Sequence, residues 1–282
     1  MGSIPPPASA FEVTARGSGR SPAASDRPRR PGLAEERRLW RAGHQWVAGL
    51  DEVGRGAWAG PVSVGVAVVC PDSPRRSMPA WLRDSKLLPE ERRESVFDTV
   101  AAWCADGAVG HATAAECDRW GMTAALCLAA HRALAALELR PDALLVDGPY
   151  DLLSPSTLCF DGGEDGGENP VWSDRSPEPV PLPAVERPPT VVPVVGGDGR
   201  CASVAAASVL AKVVRDRHMR QEAVHFPAYH FERNKGYPSP LHQVALRGYG
   251  LSAIHRRSWS FVADLPWGAA VRTPNASAKP QA

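Results

Sequence analysis

This 282-residue sequence lacks a charge bias: 32 Lys and Arg stand against 31 Asp and Glu, a net charge of +1. Whole-molecule charge therefore offers no pull toward nucleic acid or a membrane surface, and any basic surface must be local. No apolar run approaches the roughly 18 residues needed to cross a bilayer, so no membrane partner is expected. Met1 to Ala10 has no basic stretch followed by an apolar one, and Pro6 breaks the myristoylation pattern, which points to a cytoplasmic protein. The cysteines (Cys70, Cys104, Cys117, Cys127, Cys159 and Cys201) are scattered, with no C-x-x-C pair. That spacing argues against a zinc or dithiol redox site and reads as reduced thiols. No internal repeat is found.

Hydrophobic residues make up 44% of the chain and charged residues 22%, the balance of a folded globular protein. Glycine (25) and proline (28) are in excess, and the surplus must sit in tails, turns or inserts. Residues 1–32 are rich in Pro, Ser, Gly and Arg and too poor in apolar residues to bury a face, so they are expected to be a disordered tail. A second such stretch, about 160–190, runs Asp161-Gly-Gly-Glu-Asp-Gly-Gly-Glu168 into seven prolines between Pro170 and Pro189. It reads as a flexible acidic and proline-rich insert within one domain. Residues 266–282 lose periodicity and are expected to form a disordered tail, leaving 33–265 as a single domain.

Between these stretches the elements alternate. A short helix is expected over Glu35 to Trp40, and β-rich runs at Trp46–Leu50 and Val62–Val69 flank a glycine-rich turn. Helices follow at Pro89–Trp103 and Cys117–Leu137, strands at Ala143–Val146 and Val191–Val195, and a long alanine-rich helix at Ala202–Glu222. This order implies an α/β fold with a mixed sheet flanked by helices. Ser208, Lys212 and Arg215 with Asp216 are spaced to share one face of the last helix.

Carboxylates follow three of the strands: Asp51 and Glu52, Asp147, and Asp198. Sites in open α/β sheets gather at the carboxyl ends of strands, so these acids can converge there. Clustered carboxylates raise one another's pKa unless a cation sits among them, and hard oxygen ligands select Mg²⁺ or Mn²⁺. Two such ions about 3.5 to 4 Å apart suit phosphodiester hydrolysis. Acids after strands also serve as turn residues and helix caps, so position alone does not make any one of them catalytic. The stretch Asp51-Glu-Val-Gly-Arg-Gly-Ala-Trp-Ala-Gly-Pro61 is more specific. Gly54 and Gly56 let backbone N–H groups approach a ligand, and Arg55 offers a fork of donors for phosphate.

Taken in order, G-L-D-E-V-G-R-G-A-W-A-G-P (Gly49–Pro61), R-D-S-K-L-L (Arg83–Leu88), L-L-V-D-G (Leu144–Gly148), G-D-G-R-C-A-S-V-A-A-A-S-V-L-A-K-V-V-R-D-R (Gly197–Arg217), N-K-G-Y (Asn234–Tyr237) and H-R-R-S-W (His255–Trp259) resemble bacterial ribonuclease HII, the type 2 ribonucleases H. The resemblance spans residues 40–262. It implies a ribonuclease H-like sheet with a C-terminal helical portion, and an endoribonuclease acting on RNA–DNA hybrids and on single ribonucleotides embedded in duplex DNA. It implies Asp51, Glu52, Asp147 and Asp198 as the acidic residues holding two Mn²⁺ or Mg²⁺ ions, with products bearing a 3′-hydroxyl and a 5′-phosphate. Gly54, Arg55 and Gly56 would meet the scissile phosphate and the 2′-OH, and Tyr237 would stack on the next deoxyribose. Ser85, Lys86, Lys212 and Arg215 would follow the nucleic-acid backbone, with Lys86, Arg215 and Lys235 forming a local basic strip. Trp58 would border the site, and a monomer would suffice.

Two features depart from the family pattern. A lysine usually precedes the fourth acid in a K-A-D or K-G-D triplet, whereas this chain reads Gly196-Gly197-Asp198. The insert also separates Asp147 from Asp198 more widely than in the family. His255, Arg256 and Arg257 read as a solvated basic patch and Ala205 to Ala207 as small residues that let a helix pack closely. A relative that binds hybrids without cutting, or a different carboxylate phosphoesterase such as a 3′-5′ exonuclease, remains the competing reading. A substrate with blocked ends separates the exonuclease from the endonuclease.

Overall fold

A computed structural model describes residues 30–72, 78–79, 82, 88–148, 153, 180–184 and 189–266. Five strands form one sheet: β1 (Val47–Val53), β2 (Val62–Val69), β3 (Asp106–Ala112), β4 (Ala143–Asp147) and β5 (Thr190–Val194). Their order across the sheet is β3-β2-β1-β4-β5. β1 runs antiparallel to β2 and parallel to β4, β2 antiparallel to β3, and β4 parallel to β5, so the sheet is mixed as its sequence pattern implies.

β3 is the strand that the sequence pattern conceals. Its residues, DGAVGHA, carry two glycines and little β-branched character. It occupies the sheet edge, where only one neighbour and partial burial are required, and pairing with β2 supplies what local propensity does not. The helix after it also begins earlier than its apolar periodicity suggests. α3 (Ala114–Ala135) starts with a capping box, in which the Thr113 hydroxyl accepts from Glu116 N and the Glu116 carboxylate accepts from Thr113 N. It kinks at Gly121, whose φ is 80°.

One face of the sheet is covered by α5 (Ala202–His225), with α1 (Ala34–Arg41) and α2 (Glu90–Trp103) beside it, and the other by α3. α5 lies against the backbone of the central strands. A Cβ placed on Gly49 would sit 2.2 Å from the Ser203 carbonyl carbon, and one on Gly65 would sit 2.4 Å from Ala207 O. Glycine in the strands and the Ala205–Ala207 run in the helix are two halves of one close approach, as the small side chains of α5 imply. The start of α5 is held by a buried acid from α1. Glu36 Oε1 accepts from Ser203 N at 2.9 Å and from Ser203 Oγ at 2.8 Å, a negative charge at a helix N-terminus. Burial pushes the Glu36 carboxyl above its ordinary value.

α4 (Gly197–Arg200) is a single turn between β5 and α5. Beyond α5, short elements fold over the end of the sheet: a 3₁₀ turn at Pro227–Tyr229, α6 (Phe231–Asn234), α7 (Pro240–Tyr249) and a second 3₁₀ turn at Ser260–Val262. They enclose a third core of Ala59, Met219, Tyr229, Phe231, Leu246, Phe261 and Val262. This is the C-terminal helical portion, and its core includes Ala59 from the turn between β1 and β2. The calls at Ser85, Lys86, residues 1–29, most of the insert and residues 267–282 lie outside the described residues. Among those that are described, no helix is long and apolar enough to cross a membrane.

Candidate active site

β1 and β4 are parallel neighbours registered through Leu50 and Val146, so Asp51 and Asp147 occupy the next positions side by side. Side chains alternate across a sheet. Leu50 and Val146 belong to the core against α3, which puts Asp51 and Asp147 on the opposite face, toward α5. Asp51 is 5% exposed and its cross-strand partner in β2 is Gly65, over which the backbone of α5 passes. Asp51 Oδ1 accepts from Glu52 N at 2.9 Å. Glu52 itself, one residue on, belongs to the α3 face of β1 and is half-buried.

Asp198 reaches this region through the backbone. β5 ends at Val194 and the chain turns through Gly196, whose φ of 67° suits glycine. Gly197 N then donates to Asp147 Oδ1 at 2.7 Å, which ties the turn to the end of β4. Asp198 follows as the second residue of α4 and is half-buried. Among the described residues, no three His, Cys, Asp or Glu side chains stand close enough together to hold a metal ion. The donors still suit a hard divalent cation in kind: Asp51 and Asp147 share a face, with Glu52 and Asp198 adjacent in the chain or through one hydrogen bond.

The glycine-rich turn after β1 is held from below by two buried arginines. Arg215 of α5 is 0% exposed and donates through Nε to Pro61 O at 2.9 Å, through Nη1 to Lys235 O at 3.0 Å and through Nη2 to Ala59 O at 3.3 Å. Arg256, also 0% exposed, donates through Nη2 to Gly54 O at 2.7 Å, through Nη1 to Arg55 O at 2.8 Å, and to Gly60 O. Burial pushes both guanidinium groups down, Arg256 to about 10, still far above neutral pH. Each buried charge is compensated by a fan of carbonyl dipoles. Backbone bonds from Trp58 N and Ala59 N to Gly236 O, and from Gly60 N to Ile254 O, complete the anchorage.

Gly54 and Gly56 serve different ends of this turn. Gly54 has φ +86°, and a Cβ there would lie 2.2 Å from Arg215 Nε. Gly56 is exposed, and a Cβ there would meet nothing within 4 Å. Arg55 between them is exposed. Gly54 N donates to Tyr237 Oη at 3.1 Å, so the turn and the tyrosine are joined although they lie 183 positions apart. The Tyr237 ring is approached by Arg215 Cζ at 5.4 Å and Lys212 Nζ at 5.6 Å from its centroid, within cation–π range.

The anticipated basic strip is redrawn. Arg215 is buried beneath the turn, and Lys235 is 4% exposed with its ammonium 3.0 Å from Glu90 Oε1. Neither guanidinium nor ammonium faces solvent, because both are spent on holding chain segments together. Lys212 is half-buried and paired with Asp216 at 2.7 Å, and burial lowers its pKa against the opposing pull of Asp216. Asp216 in turn faces Arg93 at 3.6 Å. His255 and Arg256 are likewise no solvated patch: they are 1% and 0% exposed. The missed role of Arg256 has no local sequence signal, since its partners lie about two hundred positions away. Trp58 stacks on Phe261 with centroids 4.2 Å apart, on the C-terminal side of the same turn.

Known proteins share this arrangement. The family model for ribonuclease HII matches residues 48–156 and 183–262, passing over most of the acidic and proline-rich insert. Ribonuclease HII of Streptomyces avermitilis is 41% identical over 224 residues, covering 79% of this chain and 81% of its own. That of Thermus thermophilus is 41% identical over 228 residues, covering 81% and 92%. The crystal structure of ribonuclease H2 from Pyrococcus horikoshii superposes with a TM-score of 0.56 at 26% identity, covering 76% of this chain and 94% of that one. With its carboxylate-ended parallel strands and its anchored glycine turn, the chain belongs to the ribonuclease HII family and is a hydrolase acting on the RNA of RNA–DNA hybrids.

Proposed function

We propose that this ribonuclease H also nicks duplex DNA on the 5′ side of a single embedded ribonucleotide, leaving a 3′-hydroxyl and a 5′-phosphate. The observation that carries this reading is the hydrogen bond from Gly54 N to Tyr237 Oη, which joins the turn beside the carboxylates to an aromatic ring. Such a pair can bracket one sugar: a 2′-OH marks RNA and is sensed by close backbone groups, while a ring face packs on the next deoxyribose without reading a base. Gly56 offers the open side of the turn, and Arg55 an exposed guanidinium for the scissile phosphate.

Asp51, Glu52, Asp147 and Asp198 are the residues that would hold two Mg²⁺ or Mn²⁺ ions. When bound, these ions supply a lowered pKa for the attacking water and charge stabilisation for the leaving oxygen. Asp147 also orients the Gly196–Asp198 turn through Gly197 N, so the fourth acid depends on the third for its position. Lys212 lies beside the Tyr237 ring, where it can meet a backbone phosphate, and Ser85 and Lys86 keep their assignment to that path. Arg215 acts through the turn and the tyrosine instead of touching phosphate, because its side chain is enclosed. The protein works as a monomer in the cytoplasm in this reading.

The test is a duplex DNA with blocked ends and one internal ribonucleotide, incubated with Mg²⁺, Mn²⁺ or EDTA beside all-DNA and long-hybrid controls. Metal-dependent nicking 5′ of the ribonucleotide, absent from all-DNA, is expected. Cutting of the long hybrid alone overturns the single-ribonucleotide reading.

A further inference from the structure

Tyr237 is held from behind by a chain of hydrogen bonds with one consistent set of proton positions. Ser252 N lies 2.9 Å from His255 Nδ1, and a backbone N–H can only donate, so this nitrogen accepts. The Ser252 hydroxyl lies 2.7 Å from the same atom. Neutral His255 therefore carries its proton on Nε2, which faces His242 Nε2 at 2.9 Å. At the far end, His242 Nδ1 is 2.9 Å from the Tyr237 carbonyl, which can only accept. His242 thus carries its proton on Nδ1 and receives the His255 proton at Nε2. The order runs Ser252 N–H to His255, His255 to His242, and His242 to Tyr237.

A third proton on this chain would set two N–H groups against each other. Both rings are buried, at 0% and 1% exposure, among Tyr229, Phe231 and Trp58. Burial pushes both imidazoles below their ordinary value, His255 to about 3 with a further push from Arg257. The chain is therefore neutral: Ser252 N–H fixes the His255 tautomer, and the His255 Nε2 proton and the Tyr237 carbonyl together favour the Nδ1–H form of His242.

The tyrosine needs such support. It follows Lys235 and Gly236, with φ of 52° and 82°, in a segment outside any helix or strand. Its amide donates to Asn234 O at 2.9 Å and its hydroxyl accepts from Gly54, which leaves the carbonyl to fix the rotation of the peptide that follows.

We propose that His255 and His242 form a positioning pair for Tyr237, in which His255 selects the His242 tautomer that grips the Tyr237 carbonyl. This rests on the substrate role proposed for Tyr237 and adds that its placement depends on a proton order set fifteen and more residues downstream. Neither histidine touches nucleic acid, so the pair acts on orientation and not on affinity. Misplacing a substrate-packing group by about 1 Å can cost up to ~100-fold in turnover.

Long-range ¹H–¹⁵N spectra of the full-length protein at neutral pH should show His242 protonated at Nδ1 and His255 at Nε2. His255→Phe, which keeps the ring volume but removes both nitrogens, should let His242 sample both tautomers. On the ribonucleotide-containing duplex its kcat should fall about tenfold with KM changed less than about twofold. His255→Gln, whose side-chain amide can donate to His242, should recover most of the loss. Wild-type His242 protonated at Nε2, or unchanged kcat in folded His255→Phe, overturns the proposal; if that variant does not fold, the wild-type spectrum decides. Tyr237→Ala separates the two readings. Undiminished nicking there removes the substrate role of Tyr237, whereas loss there beside full activity in His255→Phe removes only the positioning pair.

Discussion

Two glycine-bearing turns follow strands at this site, and they are built in opposite ways. The Gly54-Arg55-Gly56 turn after β1 is packed from beneath, with carbonyls of Gly54, Arg55 and Gly60 gripped by Arg256 and those of Ala59 and Pro61 by Arg215. The Gly196-Gly197-Asp198 turn after β5 is open: a Cβ on Gly196 or Gly199 would meet nothing within 4 Å, and one on Gly197 would make only ordinary contacts. The bond from Gly197 N to Asp147 ties it to the sheet. Similar composition thus supports two kinds of anchorage. One turn is fixed by packing from beneath, whereas the other hangs on the carboxylate that ends β4.

The comparison breaks most completely at the carboxylates themselves. Asp51→Asn and Asp147→Asn should each lower cleavage by more than about 10³-fold, with circular dichroism and melting nearly unchanged, since the isosteric amide keeps the one oxygen that accepts from Glu52 N or from Gly197 N. Turnover near the wild-type level in either folded variant sinks the site assignment. Next in size is the clamp. Arg256→Ala should destabilise by about 3 to 5 kcal/mol in urea unfolding, because the carbonyls of Gly54, Arg55 and Gly60 lose the guanidinium that bridges them and the side chain leaves a buried void. Arg256→Lys should rescue little, as an ammonium cannot reproduce the fork.

Within the first turn, the two glycines should separate cleanly. Gly54→Ala meets both a positive φ and Arg215 Nε, and should destabilise by about 2 kcal/mol or more. Gly56→Ala should stay within about 0.5 kcal/mol of wild type yet raise KM for the ribonucleotide substrate, because its space is on the ligand side. Equal stability losses at the two positions would count against the distinction. The smallest effect belongs to the open turn. Gly196→Lys, which restores the residue usual in the family, should lower stability by about 1 kcal/mol from its φ of 67°. It should also steepen the salt dependence of duplex binding by about one unit of log–log slope. An unchanged slope means that a lysine there does not reach phosphate.

Much of this was legible in the chain itself. Alternating β-rich and helical stretches announce a mixed α/β sheet, with acids placed directly after strands, because strand periodicity and hydrophobic burial are local properties. The alanines of α5 announce its close approach to Gly49 and Gly65. The edge strand β3 was not legible, since its order comes from pairing with β2 and not from its own residues. Nor was the fate of the cations: Arg215, Lys235 and Arg256 look like surface charge in a one-dimensional reading, and become interior struts only when segments far apart in sequence meet.

The sequence by itself determined the fold class and marked the glycine turn and the acid after each strand, because each rests on residues within a few positions of one another. Only the tertiary structure decided which side chains stay exposed and which hold others in place. Burial and hydrogen-bond partners arise from long-range packing: Arg256 reaches Gly54 and Arg55, Tyr237 reaches Gly54, and His255 and His242 reach back to Tyr237. A charged or aromatic side chain carries no mark of whether its partner will be water, a phosphate or a carbonyl two hundred residues away.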